Sequence, residues 1–181
     1  MILTLIKTLT ADGDSSLTFE HGTASVVLDS TYAEYMFVFT DIGPATDTVR
    51  FEVQFKDASD NDLTKTTTTF MPQHSEDDAT AEVNYNTGTD LAQQTIAAPL
   101  TETSIGNGSD ESMAGIMHLF VPASTTYVKH FYSQTHLYER RDRAQSLFVG
   151  GYVNSTAAVT QAIFSVSSGN FDGVIQLYGV A

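Results

Sequence analysis

The stretch EYMFVFTDIGPATDTVRFEVQF, residues 34–55, indicates the fold class. Its second half, residues 49–55, alternates apolar and polar side chains with a period of two, which is typical of a β-strand with one buried face. Its first half, residues 35–39, is continuously apolar, as in a strand covered on both faces. Between the halves, Gly43 and Pro44 supply turn chemistry. The stretch therefore predicts two antiparallel strands, joined by a turn, on a central sheet.

Outward from this stretch, polar turns separate about ten short apolar or threonine-rich segments, and no helix-length segment repeats apolar residues at three-and-four spacing. We therefore predict an all-β fold, with residues 1–181 forming a single domain. The expected architecture is a two-sheet antiparallel sandwich of jelly-roll type, with long loops near residues 71–113. An immunoglobulin-like sandwich and an open barrel are the alternatives, because the pattern does not fix strand order.

Charge and composition exclude several classes of protein. The net charge is −14, and phosphate binding needs clustered Lys and Arg, so we predict no nucleic-acid partner. Residues 1–111 carry 19 acidic and 4 basic side chains, whereas residues 112–181 carry 3 acidic and 4 basic ones. The chain has no cysteine, which excludes disulfides and thiolate metal sites. It shows neither a signal peptide nor a transmembrane segment, so we expect no membrane partner and synthesis in a cytoplasm.

Two histidines form the first candidate site. Residues 115–121 and 125–133 are predicted to form a hairpin, and a turn centred on Ser124 would place His118 directly opposite His130. Two imidazoles whose Cβ atoms are about 5 Å apart could share Zn²⁺, with His136 or an acidic side chain completing the shell. Their neighbours are apolar, so we favour hydrogen-bonded histidines on a half-buried sheet face and predict no metal site.

Clusters of carboxylates form the second candidate. Asp57, Asp60 and Asp62 could offer oxygen ligands to Ca²⁺, as could the group Glu76, Asp77 and Asp78. The spacing differs from that of an EF-hand, and Asp and Asn are ordinary turn formers. We therefore treat both clusters as turns.

Two further segments are assigned by their charge. Residues 63–70 have two polar faces, so we place them at a sheet edge, where Lys65 would oppose unwanted pairing. Residues 137–143 are expected to form a loop that holds the single basic cluster of the chain. We predict that this loop contacts another subunit through Tyr138, Arg140, Arg141 and Arg143.

No catalytic motif is present. The chain lacks a G-x-S-x-G elbow, a cysteine nucleophile and a phosphate-binding loop with its Lys. No spacing singles out a pair of carboxylates for glycoside hydrolysis. We therefore predict a protein that is not an enzyme and has no cofactor.

Four stretches of the chain resemble small virion structural proteins of tailed bacteriophages that infect marine and freshwater bacteria. They are residues 29–47 (DSTYAEYMFVF, then GPATD), 85–93 (YNTGTDLAQ), 118–130 (HLFVPASTTYVKH) and 168–180 (SGNFDGVIQLYGV). The resemblance implies a non-enzymatic β-sandwich that assembles in symmetric copies within a phage particle. It implies no particular position in that particle.

These observations lead to one functional hypothesis and one alternative. The hypothesis is an outer-surface assembly module of the virion, with capsid decoration preferred. Its partners would be copies of itself, with a trimer as the expected state, and other virion proteins such as the major capsid protein. The alternative is a tail-fibre, baseplate or receptor-binding module that recognises a host glycan through residues 71–113.

Overall fold

Strands are the only regular element in the part of the chain that the computed structural model describes, residues 2–181. They are β1 (Leu3–Asp14), β2 (Ser16–Glu20), β3 (Glu34–Pro44), β4 (Phe51–Lys56), β5 (Lys65–Ser75), β6 (Ala81–Tyr85), β7 (Ala98–Pro99), β8 (Met113–Phe120), β9 (Lys129–Glu139), β10 (Arg143–Val153), β11 (Gln161–Val166) and β12 (Phe171–Val180). Accordingly, no helix able to span a membrane occurs in this part of the chain.

The strands form two antiparallel sheets. One has eight strands in the order β1-β12-β3-β8-β9-β10-β5-β6, and the other has four in the order β2-β11-β4-β7. The predicted all-β sandwich is therefore confirmed, with twelve strands where about ten were expected. The jelly-roll connectivity stays a prediction.

The core lies between the two sheets, and a cluster of phenylalanine rings joins its two layers. Phe164 of β11 is fully buried, and its ring centroid lies 5.0 Å from that of Phe37 and 5.2 Å from that of Phe39, both on β3 of the other sheet. Phe51 of β4 stacks on Phe164 at 5.9 Å. Such ring pairs add to the stability that burial itself provides.

The predicted pairing of the two halves of residues 34–55 is wrong. β3 belongs to the eight-stranded sheet and β4 to the four-stranded sheet, so the chain crosses from one layer to the other between them. Their side chains meet across the core instead, with Phe39 and Phe51 in an edge-to-face contact at 5.2 Å. The turn chemistry at Gly43 and Pro44 therefore accompanies a change of sheet.

The predicted position of residues 63–70 at a sheet edge holds for strand pairing but not for Lys65. β10 pairs with one side of this segment, whereas β6 pairs only with Phe70–His74. At Lys65 and Thr67 the other side bonds to Gln94 and Leu91 of the irregular segment 86–97. Lys65 is fully buried, and its Nζ donates to the carbonyl of Leu63 at 2.8 Å and to the Gln54 side chain on β4. Burial lowers the pKa of Lys65 to about 8. The lysine thus links the two sheets and does not protect an edge.

The expected long loops near residues 71–113 are partly present. β5 and β6 occupy the first part of this region, and irregular segments follow at residues 86–97 and 100–112. The predicted loop at residues 137–143 is a tight hairpin, because β9 continues to Glu139 and β10 begins at Arg143.

Candidate functional site

The eight-stranded sheet has one face packed on the core and one face turned away from the four-stranded sheet. We call the second face the outer face. Cross-strand register aligns its side chains in rows. One row runs Leu5, Tyr178, Met36, His118, Tyr132, Gly150 and Thr68 across seven strands. A second runs Thr8, Gln176, Val38, Ile116, Gln134, Phe148, Phe70 and Tyr85 across all eight.

The central rows of the outer face carry no charged side chain. In the two rows above every residue is uncharged when histidine is neutral, although the chain as a whole has a net charge of −14. The Glu34 carboxylate lies on this face one row further along, opposite Phe120 and Val180. Acidic side chains are therefore concentrated elsewhere on the surface, which leaves the outer face open to close approach by a partner.

Apolar and aromatic side chains are exposed on this face. Six of the large exposed apolar residues of the molecule lie on it: Leu3, Leu5, Phe70, Val83, Tyr85 and Tyr132. Phe70 and Phe148 stack in parallel with their centroids 4.6 Å apart, on neighbouring strands. Exposed apolar side chains gathered on one face are typical of an interaction site.

A shallow depression interrupts the aromatic surface. It has a volume of about 280 Å³ and is lined by His130, Gly150, Tyr152 and residues of β5. Gly150 has no side chain to fill the depression. The nearest atom to the position that a Cβ would occupy is a methyl group of Thr68 at 3.8 Å, so the space above Gly150 is open. The site therefore offers an aromatic wall, an imidazole and threonine hydroxyls around a small recess.

The predicted alignment of His118 with His130 is wrong. His118 lies opposite Tyr132, and His130 lies opposite Tyr152 on β10, because the β8–β9 register is centred one residue further along than Ser124. His118 Nδ1 donates to Glu34 Oε1 at 2.5 Å, and its ring stacks on Tyr132 at 4.5 Å. The histidine is buried and hydrogen-bonded, as the preferred interpretation of the sequence proposed.

The metal candidates do not converge. His136 Nδ1 bonds with Ser146 Oγ at 3.0 Å, separate from the other two histidines. Within residues 2–181 no group of three or more His, Asp or Glu side chains is placed to hold a metal ion. The fold thus spreads the histidines along different rows of the outer face.

The acidic clusters form turns. Asp57 accepts hydrogen bonds from the side chain of Asn61 and from the backbone N–H groups of Asn61 and Ser59, the last two at 3.0 and 2.8 Å, and these bonds lower the pKa of Asp57. Asp60 and Asp62 lie within 3.0 and 3.8 Å of Lys56 Nζ. Asp77 and Asp78 bond with Ser75 and His74.

The basic hairpin is largely engaged within its own subunit. Arg141 Nε donates to both carboxylate oxygens of the fully buried Glu139, at 2.8 and 3.1 Å. Tyr138 donates to Asp142 at 2.8 Å, which raises the pKa of Tyr138 to about 12. Arg140 is exposed and Arg143 Nη1 reaches Gln73 at 3.4 Å. Subunit contact through Tyr138, Arg140, Arg141 and Arg143 stays a prediction, and Arg140 is the member most free to make one.

The outer side of the four-stranded sheet has a different character. Its outward positions include Glu20, Glu52 and Lys56, and Arg50 lies 3.5 Å from Glu52. Beside them is a cleft of about 580 Å³, lined by Arg50, Glu52 and residues 88–99. Burial raises the pKa of Glu52 in this cleft.

Sequence reasoning did not identify the outer face as a site. It sought aromatic rings for a ligand within residues 71–113, whereas the rings that line the depression come mainly from β9 and β10. One signal was available: in β9 the outward positions 130, 132, 134, 136 and 138 are His, Tyr, Gln, His and Tyr, with no charge among them. A solvated strand would carry Lys, Glu or Asp at such positions.

Comparisons with known proteins assign no family. No family model and no curated protein matches the chain. A protein of unknown function from Bacteroides ovatus is similar over 57% of this chain and 45% of its own, at 4% identity and a TM-score of 0.31. The VP2 subviral particle of infectious bursal disease virus is similar over 97% of this chain and 40% of its own, at 9% identity and a TM-score of 0.17. An alginate lyase from Alteromonas is similar over 99% and 95% of the two chains, at 10% identity and a TM-score of 0.14.

Proposed function

We propose that this protein is a non-enzymatic structural component of a bacteriophage particle, attached to the outside of the capsid through the outer face of its eight-stranded sheet. The observation that supports the proposal best is that face: broad, aromatic, exposed and uncharged in its central rows, on a chain with net charge −14. Its partners would be other virion proteins, such as the major capsid protein, and copies of itself. It would be made in the host cytoplasm and function in the virion.

The dimensions of the outer face suit stable docking. Eight strands at about 4.8 Å spacing span roughly 35 Å. Contact over even part of such a face can approach the roughly 800 Å² per partner that specific complexes bury. Tyr132, Phe148 and Tyr152 would supply the aromatic anchors that usually dominate such interfaces.

The test is binding to phage heads assembled without this protein. The wild-type chain is expected to cosediment with heads at a fixed stoichiometry. Replacing Tyr132 and Phe148 together by Ser should reduce binding at least about tenfold, because two anchors of the interface are lost. The matched control is Ile163→Ser, which removes an apolar side chain from the outer side of the four-stranded sheet and should bind normally. Heads from intact virions that contain no copy of the chain would refute the proposal.

A host-glycan binding module is the second candidate, and the depression at Gly150 favours it. Tyr152 offers a ring surface, while His130, Thr66 and Thr68 offer neutral hydrogen-bonding groups around the same recess. Neutral sugars bind through this combination of ring stacking and hydrogen bonds. A glycan array with the purified protein tests it. Binding of the wild type to a glycan, lost in Tyr152→Ala, would favour this function, especially if phage heads do not bind the protein.

A further inference from the structure

β1 forms an unusually long free edge of the eight-stranded sheet. The strand has 12 residues and pairs with β12 on one side, and within residues 2–181 no strand pairs with its other side. Of its side chains, only that of Ala11 is buried. An edge of this kind presents a row of unpaired backbone donors and acceptors to solvent.

The backbone groups that face this edge can be identified from the pairing with β12. Ile2 and Ala181 exchange both of their backbone hydrogen bonds, at 2.9 and 3.0 Å. In an antiparallel ladder the bonded residues alternate, so Gly179, Leu177 and Ile175 also face β1. Their partners Thr4, Lys7 and Leu9 are therefore bonded to β12. Thr8 and Thr10 direct their N–H and C=O groups toward the free edge.

The other sheet edges are short, whereas β1 is long and carries its charged residues, Lys7, Asp12 and Asp14, outside residues 8–11. β6, at the opposite edge of the same sheet, has 5 residues and follows the acidic residues 76–78. β2 and β7, the edges of the four-stranded sheet, have 5 and 2 residues. Short length and charge are the usual ways of preventing strand addition. Along β1, residues 8–11 form a regular, uncharged stretch beyond the irregularity between Leu5 and Lys7.

We propose that β1 pairs antiparallel with β1 of a second copy of this chain, about a two-fold axis near Leu9. Charge favours a second copy at this place. Residues 2–11 contain one charged side chain, Lys7, whereas the whole chain has a net charge of −14. Two copies that approach through the acidic turns bring like charges together, but at this edge they do not.

The register follows from the backbone. Placing Leu9 opposite the partner's Leu9 puts Thr8 opposite the partner's Thr10, and Lys7 opposite the partner's Ala11. Both threonines face the edge, so each Thr8–Thr10 pair can exchange two hydrogen bonds. This register keeps the two lysines apart and joins the two sheets into one.

The proposed pairing is separate from attachment to the capsid, and it alters the oligomeric state that is expected. An interface that uses the same strand on both subunits is closed by two-fold symmetry. It therefore predicts a dimer in place of the trimer expected from the sequence.

Sedimentation velocity and light scattering over a range of concentrations test the proposal. The wild-type chain should reach twice its mass of 19.6 kDa. Thr8→Pro removes one edge-facing N–H in each copy and no bond to β12, so the dissociation constant should rise about tenfold or more. Thr8→Val is the matched control: it retains the N–H and should dimerise like the wild type. Circular dichroism checks that both variants are folded.

Hydrogen exchange on the wild-type protein provides a second test that does not depend on the folding of a variant. The amides of Thr8 and Thr10 should exchange slowly at concentrations that give dimer and quickly on dilution. A protein that is monomeric at all concentrations, or trimeric, would overturn the proposal. So would a folded Thr8→Pro variant with unchanged dimerisation, or fast exchange of these two amides in the dimer.

Discussion

The outer sides of the two sheets differ although their inner sides form one common core. On β4 of the four-stranded sheet the outward positions are Glu52, Gln54 and Lys56, which are polar or charged. On β10 of the eight-stranded sheet the outward positions include Phe148, Gly150 and Tyr152. Both strands have fully or nearly fully buried inner positions. The difference therefore does not arise from the requirements of the core.

This comparison separates two reasons for an apolar residue in a strand. Residues such as Phe51 and Phe164 are apolar because they fill the space between sheets. Residues such as Phe148 and Tyr132 do not contribute to that core, since they face the other way. On the outer face Tyr132 is exposed and Phe148 half-buried, so the filling of the core does not account for these two rings.

The largest expected effect lies where the sheets meet. Phe164→Ala should lower the free energy of unfolding by about 3–5 kcal/mol, because a ring in contact with both sheets is replaced by a cavity. The adjacent Ile163→Ala, on the outer side of β11, should cost only about 1 kcal/mol. Urea denaturation measures both. Similar losses in the two variants would contradict the assignment of inner and outer sides.

The next effect concerns the tight hairpin that joins β9 and β10 of the eight-stranded sheet. Arg141→Ala should destabilise the protein by about 2 kcal/mol, because the buried carboxylate of Glu139 loses its charged partner. Arg140→Ala, at the exposed neighbouring position, should change stability by less than about 0.5 kcal/mol. Thermal and urea denaturation of the pair test this. Equal effects would mean that the ion pair does not stabilise the hairpin.

A third effect tests the link between the sheets. The folded-state pKa of Lys65 is about 8, below its unfolded value of 10.5, so the unfolded chain binds more protons between these pH values. The contribution of Lys65 to the free energy of unfolding should therefore increase with pH, by roughly 1 kcal/mol between pH 7 and 9. Lys65→Met should remove this part of the pH dependence. The difference between wild type and variant, from urea denaturation at each pH, isolates Lys65. A difference that does not change with pH would show that the lysine is not desolvated.

The smallest effect concerns the outer face itself. The stacked rings of Phe70 and Phe148 should couple by about 0.5–1 kcal/mol in a double-mutant cycle to Ala, because their centroids lie 4.6 Å apart in a parallel stack. Each single variant should remain folded. A single substitution that unfolds the protein would show that the outer face belongs to the core, and the contrast between the two sheets would disappear.

Part of the fold could be predicted from residue patterns. The alternation in residues 49–55 matches β4, in which Phe51, Val53 and Phe55 are fully buried and the residues between them are not. The pairing of β8 with β9 was also predicted, although the connection between them runs over residues 121–128 and is longer than expected. Both features are local, since alternation reports one strand and consecutive strands tend to pair.

The failed predictions concern position in the sheet. β3 and β4 are close in sequence but lie in different layers, and Lys65 is buried although lysine is usually exposed. The His118–His130 alignment failed because moving the centre of a turn by one residue moves the partner by two. Such errors are expected wherever an inference needs the position of a distant strand.

Residue order alone determined that this chain forms strands, that it has an apolar core rich in phenylalanine, and that it carries a large negative charge, because these properties follow from the side chains and their spacing. The tertiary structure decided which strands are neighbours, which edge stays open and which apolar rings remain outside. Those outcomes depend on how twelve strands fill two layers together, since a strand with two apolar sides can bury only one of them in a two-sheet sandwich.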